Sequence, residues 1–106
     1  MPKYLLHGSY STEGTKGLLK EGGSSRRAAV EQVAKGVGGK LEAFYYAFGE
    51  SDFFVIVDLP DQASAAAVSL TVNASGAVNL KTAVLMTPEE IDAATKKTVG
   101  YRAPGK

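Results

Sequence analysis

Two apolar stretches flank a short polar segment in the middle of the chain. Residues 41–48 and 53–59 are rich in aromatic and β-branched side chains, which favour a pleated, half-buried surface. Gly49 to Asp52 form a polar connection of the length expected for a tight hairpin loop, in which Gly49 can adopt a positive φ. The pattern predicts a β-hairpin, and we expect the other elements to pack around it.

The N-terminal part of the chain predicts a strand followed by a loop. The apolar run from Lys3 to Tyr10 predicts the strand. Gly14 and Gly17 then interrupt the pattern and predict a loop with at most a single helical turn before Gly22.

A helix is predicted after this loop. Apolar residues recur at helical spacing over residues 26–37. Ser24 or Ser25 is the expected N-cap, and Gly38 is the expected end. The residues of the apolar stripe are Ala29, Val30, Val33, Ala34 and Val37.

The second half of the chain predicts two more helices and one more strand. Residues 62–74 are rich in small side chains and follow Asp61, which is a suitable helix cap. Residues 77–86 predict a strand. Residues 87–97 begin with Thr-Pro-Glu-Glu, which predicts a capping box and a short helix. Residues 98–106 predict an irregular tail.

The predicted order is β-α-β-β-α-β with an extra C-terminal helix. This order is typical of a ferredoxin-like α+β sandwich, in which helices cover one face of a four-stranded antiparallel sheet. We expect residues 1–97 to form a single domain and residues 98–106 to form its tail.

The hairpin predicts a sheet that is apolar on both faces. Strict alternation places Leu41, Ala43, Tyr45 and Ala47 on one face and Phe44, Tyr46 and Phe48 on the other. Because helices cover only one face, we expect a second copy of the chain to cover the other, as in a dimeric α+β barrel. The alternative is that tyrosine hydroxyls stay in water and the tail covers the rest.

Composition narrows the function classes further. The chain has 106 residues, 44% of them hydrophobic, a formal net charge of +1 and no cysteine. These values predict one globular domain without disulfide or thiolate chemistry, and give no general argument for nucleic acid or membrane as a partner. The apolar run near the N-terminus is too short for a membrane span or signal peptide. The cytoplasm is the simplest location, and no cofactor or metal is predicted.

Five segments of the chain match the pattern of a known family: Gly17–Gly23, Gly38–Ala43, Phe48–Phe53, Val55–Asp61 and Leu85–Glu90. On these segments the chain resembles the GYD-domain family, small bacterial proteins named for a Gly-Tyr-Asp turn. Ser51 stands where the family has its tyrosine. The resemblance implies a ferredoxin-like fold related to the dimeric α+β barrels, and it implies no catalytic residue.

The candidate chemistry centres on His7, the only imidazole of the chain. It is either an acid or base of a cleft or a structural histidine of a half-buried strand. Lys16 and Arg26 are candidate anion ligands or part of a solvated basic face. We expect His7, Tyr10, Lys16, Arg26 and Tyr45 to meet in one cleft that suits a flat, weakly acidic organic molecule.

Two classes of function follow from these residues. The first is a homo-oligomeric module that binds a small organic molecule. The second is an enzyme of the dimeric α+β barrel type, cofactor-independent or flavin-assisted, with His7 as base. An RNA-binding module of similar strand order is a remote alternative, because the third strand carries no Arg or Lys and ends in Asp58.

Overall fold

The computed structural model describes all 106 residues and has a mixed α+β architecture. In chain order its elements are β1 (Lys3–Tyr10), α1 (Thr12–Glu21), α2 (Gly23–Gly36), β2 (Lys40–Tyr46), β3 (Phe53–Asp58), α3 (Gln62–Ala74), β4 (Val78–Leu85) and α4 (Pro88–Thr95). The strands form one sheet in the order β2-β3-β1-β4. Every neighbouring pair is antiparallel. This connectivity is compatible with the predicted ferredoxin-like fold.

The two faces of the sheet differ in what covers them. On the inner face, side chains of β1, β3 and β4 pack against α2 and α3. The outer face contributes no residue to the core or its surroundings, and its Tyr45 and Phe54 are exposed. The buried core is therefore confined to the inner face. Its largest fully buried side chains are Tyr4, Val55, Val57 and Leu59.

The loop predicted around Gly14 and Gly17 is wrong, because these glycines lie within α1. Ser11 caps this helix by accepting a hydrogen bond from the Gly14 backbone N–H at 3.2 Å. The Ser11 backbone N–H donates to the Ala77 carbonyl at 2.9 Å. A Cβ on Gly14 would lie 2.1 Å from that carbonyl oxygen. Gly14 is therefore needed for the close approach of α1 to the start of β4, not for a loop.

The predicted serine cap of the next helix is also wrong. α2 begins at Gly23, and its N-cap is Gly22, which makes no side-chain hydrogen bond. Gly22 has a φ of 84° and joins α1 to α2 directly. Ser24 and Ser25 therefore lie within the first turn of α2, because α1 extends up to the glycine that turns the chain.

The hairpin forms as predicted, with one change in its alternation. β2 pairs with β3, but the register shifts between Leu41 and Ala43. This irregularity leaves Glu42 without a partner and places Leu41 opposite Val57, on the inner face. The prediction that Leu41 and Ala43 share a face is therefore wrong.

The connection of the hairpin is held by hydrogen bonds rather than by a left-handed glycine. Gly49 does not adopt a positive φ. The Ala47 N–H donates to the Asp52 carbonyl at 2.9 Å, and the Asp52 N–H donates to the Gly8 carbonyl at 2.7 Å. The Asp52 carboxylate accepts a hydrogen bond from the Tyr10 N–H at 2.9 Å. The turn is therefore tied to the end of β1.

The helix signals in the second half of the chain are confirmed. Asp61 caps α3 by accepting from the Ser64 N–H at 2.7 Å, and this bond lowers the pKa of the Asp61 carboxyl. Thr87 and Glu90 form the predicted capping box of α4, with Pro88 at its first turn. α4 has no extensive contact with any other helix or strand, and residues 96–106 contain neither helix nor strand.

Candidate functional site

An apolar cavity of about 200 Å³ lies between the inner face of the sheet and the two helices that cover it. Fifteen of its sixteen lining residues are hydrophobic, and the exception is Arg26. α2 forms one wall through residues such as Val30, and α3 adds Val68 and Val72. The sheet contributes aromatic rings from neighbouring strands, Phe44 and Phe53, whose centroids are 6.5 Å apart. An apolar cavity of about 150 Å³ accommodates a benzene ring, so this one has room for a single ring or a short aliphatic chain.

The polar groups of the cavity are gathered where β1 ends and α2 begins. Arg26 lies in the first turn of α2, with about a third (34%) of its side chain exposed, and its Nη1 is 3.8 Å from a Glu21 carboxylate oxygen. Tyr10 is the last residue of β1, and its ring packs on Phe53 with centroids 5.5 Å apart. The guanidinium thus connects the cavity wall to solvent, where its ion pair with Glu21 is weak and exchangeable.

The Tyr10 hydroxyl is held in its neutral form. Burial raises the pKa of Tyr10 to about 12, and the neighbouring Tyr46 adds to this shift, while Arg26 opposes it. Tyr46 is itself anchored, because its hydroxyl donates to the Gly23 carbonyl at 3.3 Å. At neutral pH a protonated phenol and a guanidinium are therefore available at the same end of the cavity. Both are hydrogen-bond donors, and together they suit a carboxylate.

His7 lies on the outer face, on the other side of the sheet from this cavity. It alternates with Leu6 along β1, and Leu6 lines the cavity. The His7 ring stacks on Phe54 with centroids 5.8 Å apart, and its Nδ1 lies 3.1 Å from Ser51 Oγ. Tyr45 of β2 lies opposite Phe54 of β3 and is 71% exposed. His7, Phe54 and Tyr45 thus form an aromatic row across three strands.

The predicted convergence of five residues in one cleft is therefore wrong. The sheet separates Tyr10 and Arg26 from His7 and Tyr45. Lys16 lies on α1 outside the cavity lining, exposed and 3.7 Å from Glu13. The error arises because His7 and Tyr10 are three positions apart on a strand, an odd spacing that sends their side chains to opposite faces.

The outer face also carries a charged cluster at its other end. The Asp58 carboxylate, 7% exposed, accepts a hydrogen bond from Lys3 Nζ at 2.9 Å and lies 4.0 Å from Lys40 Nζ. Lys3 also pairs with Glu42. The hydrogen bonds to Glu42 and Asp58 raise the pKa of Lys3. The two lysines compensate the negative charge of the buried Asp58 carboxylate. The cluster lies at the end of the sheet where the register of β2 shifts at Glu42.

The sequence did not reveal the residues that α3 contributes to the cavity. Val68 and Val72 lie four positions apart and so on one side of α3, and this helical spacing is the signal that could have identified them. Their facing partners on β3 and α2 follow only from the packing of the three elements.

Two further properties of the chain bear on its chemistry. None of the four helices combines the length and the apolar character that a bilayer span requires. No group of three or more histidine or acidic side chains is placed to bind a metal ion.

Comparison with known proteins agrees with the resemblance noted in the sequence. The family model for the GYD domain matches residues 4–95, which span β1 through α4 and include both the cavity and the hairpin turn. The comparisons found no matching curated protein and no matching solved structure. Because the family model covers most of the 106 residues, the chain belongs to the GYD-domain family.

Proposed function

We propose that this GYD-domain protein is a homodimeric module that binds a small apolar acid in the cavity between the sheet and the helices. The observation that carries the proposal is the composition of the cavity lining, in which Arg26 is the only charged residue. The ring or chain of the ligand contacts the apolar walls, which supply most of the affinity. Its carboxylate replaces Glu21 at Arg26 and accepts a hydrogen bond from Tyr10.

The position of His7 favours binding over catalysis in this cavity. A general base must come within hydrogen-bond distance of the proton that it abstracts, directly or through one water. The sheet lies between His7 and the cavity. His7 is therefore not the base for a reaction on a molecule bound there.

A ligand series tests the proposal directly. Aromatic and medium-chain monocarboxylates, each paired with its neutral amide, are screened by thermal denaturation and calorimetry. A ligand at about a hundred times its dissociation constant adds about 2.7 kcal/mol to the free energy of unfolding. We expect acids to raise the melting temperature more than their amides do, because charge-assisted hydrogen bonds contribute about 1.5–3 kcal/mol.

Three variants identify the site. Arg26→Gln should weaken acid binding by roughly ten- to a hundredfold while leaving binding of the amides unchanged. Arg27→Gln is the matched control, because Arg27 is the next residue of α2, is exposed and does not line the cavity. Ala29→Phe fills the cavity and should abolish binding of both ligands. Binding that survives Ala29→Phe, or a series in which no acid raises the melting temperature, would refute the proposal.

The surface area of the chain supports the dimer. The accessible surface is 7391 Å², whereas a folded monomer of this mass exposes about 5,700 Å². The excess of about 1,700 Å² exceeds the roughly 800 Å² that each partner buries in a standard interface. On the outer face, Leu5, Ile56 and Phe54 form an apolar patch beside Tyr45. A second copy covering this face would form the dimeric α+β barrel predicted from the sequence.

Light scattering tests the dimer, and a pair of lysine substitutions locates its interface. We expect a dimer at micromolar concentration. Ile56→Lys places a charge at the centre of the outer face and should yield monomers or unfolded chains. Leu19→Lys is the control, because Leu19 is 82% exposed on α1, away from that face. An 11.1 kDa species for the unmodified protein would exclude the dimer.

A further inference from the structure

The C-terminal segment projects from the body of the protein. The radius of gyration is 16.9 Å and the longest dimension is 56 Å, whereas a compact chain of this length has a radius of gyration of about 13 Å. We call residues 86–106 the arm; they comprise α4, the two residues that connect it to β4, and the segment that follows it. The arm accounts for much of this extension, since α4 has no extensive contact with another element.

The arm carries apolar side chains and a short helix, which are typical of a segment that packs against another protein surface. Its large apolar residues are exposed to solvent by about half or more: Met86 by 54%, Ile91 by 47%, Val99 by 79% and Tyr101 by 77%. An isolated helix of fewer than about 12–15 residues is marginal in water, and α4 has eight. Its capping box defines where it begins, but its apolar side needs a packing partner to make it stable.

A matching surface lies beside the point where the arm leaves the sheet. A groove of about 230 Å³ runs between α3 and the edge strand β4. Four of its seven lining residues are apolar, Tyr4 and Val84 on the strands and Ala65 and Ala66 on α3. The other three are polar: Gln62, Ser69 and Thr82. Val84 is on the inner face, opposite Tyr4, yet it is 57% exposed.

The arm does not occupy the groove of its own chain, since none of the residues that line this groove belongs to the arm. Only Met86 and Thr87 separate β4 from α4. Thr87 is fixed by two hydrogen bonds with Glu90, at 3.0 and 3.1 Å, and the following Pro88 has a restricted φ. The connection is therefore short, and α4 begins as a capped helix directly after β4.

We infer that the arm of each chain packs into the α3–β4 groove of a second copy, with Ile91 as its central apolar contact. The inference rests on the proposed dimer and goes beyond it, since it assigns a second, reciprocal contact outside the outer face. Exchange of the arms covers the exposed apolar residues of both segments and accounts for part of the surplus surface. By symmetry each groove receives one arm, so the contact closes within the dimer.

Disulfide trapping tests the inference on the full chain, because the chain has no cysteine of its own. A variant carrying both Ile91→Cys and Ala66→Cys places one thiol on the arm and one in the groove. The matched control carries Ile91→Cys and Leu19→Cys, which places the second thiol on exposed α1. Both are oxidised mildly at micromolar concentration and analysed on non-reducing gels, alongside light scattering of the unmodified protein.

We expect the arm–groove variant to form covalent dimers at least five times faster than the control. An intrachain disulfide in the arm–groove variant would overturn the inference by placing the arm on its own groove, and equal rates for the two variants would overturn it by removing the specific contact. A dimer by light scattering with either of these results would leave the proposed dimer intact, whereas a monomer would overturn both. Ile91→Ser should also raise the dimer dissociation constant at least tenfold, while Asp92→Ser changes it less than twofold; equal effects would overturn the role of Ile91.

Discussion

Substitution of Gly14 by alanine tests how α1 is attached to the sheet. The structure places a Cβ at this position 2.1 Å from the Ala77 carbonyl oxygen and 3.1 Å from a carbon of the Tyr10 ring. The carbonyl belongs to backbone, so the helix itself must move. That movement stretches or breaks the 2.9 Å hydrogen bond from the Ser11 N–H to the same carbonyl.

The magnitude follows from opposing contributions. Replacing glycine by alanine inside a helix stabilises it by at most about 1 kcal/mol. Losing one backbone hydrogen bond costs about 1 kcal/mol, and the shift of a packed element costs a further 1–3 kcal/mol. We therefore expect Gly14→Ala to lower the free energy of unfolding by about 1–3 kcal/mol.

Gly17→Ala is the matched control within the same helix. A Cβ on Gly17 meets no atom within 4 Å, so this variant should be more stable than the unmodified protein by about 0.5–1 kcal/mol. Urea unfolding of the two variants measures the difference in their free energies of unfolding, which should be about 1.5–4 kcal/mol. Each kcal/mol corresponds to several degrees of melting temperature. If Gly14→Ala proves as stable as Gly17→Ala, α1 does not contact the start of β4 as described.

Two further predictions concern Tyr10 of β1 and Asn73 of α3. Tyr10 should ionise near pH 12 rather than near 10; because its pKa is raised by folding, its contribution to stability is complete below pH 10 and is lost between pH 10 and 12. Ultraviolet titration should show this transition and Tyr10→Phe should remove it; a Tyr10→Phe variant that keeps it would contradict the assignment. Asn73→Ala should lower the free energy of unfolding by about 1–2 kcal/mol, since the Asn73 amide bonds both the N–H and the carbonyl of Leu80, at 2.7 and 3.1 Å. Urea unfolding measures this loss against Thr71→Ala, an exposed position of α3, and equal effects of the two would contradict it.

The elements with local signals were predictable from the sequence. Asp61 and the Thr87–Glu90 capping box mark α3 and α4 because a cap depends only on residues within one turn of it. The strands were predictable because aromatic and β-branched residues cluster in them. The sheet order followed from the alternation of these elements along the chain.

The errors occur where a distant residue decides the local structure. Gly14 indicates a loop by itself, but in the structure it makes room for the carbonyl of Ala77, sixty-three positions along the chain. The extra residue at Glu42 is not visible in the sequence, because a bulge depends on how two strands pair. It reversed the face assigned to Leu41.

The candidate site was predictable only in part for the same reason. Tyr10 and Arg26 were identified from their position near the end of β1 and the start of the following helix. Their common cavity was not, because its walls come from three elements whose packing no single pattern encodes. Alternation along β1 places the His7 side chain on the opposite face from Tyr10. The sequence therefore contained the information that rules out a common cleft for these two residues.

The alternation along β1 has a consequence for how this family can diversify. Leu6 lies against the cavity, and its sequence neighbour His7 lies on the face that we assign to the partner copy. On the proposed function, a single-nucleotide change in one codon would therefore alter which molecule fits the cavity, and a change in the adjacent codon would alter which chains associate. Of the even-numbered positions of this strand, only Leu6 and Tyr10 line the cavity. A library randomised at these two would explore ligand preference, whereas one randomised at Leu5 and His7 would explore pairing specificity in the proposed dimer with the cavity lining unchanged.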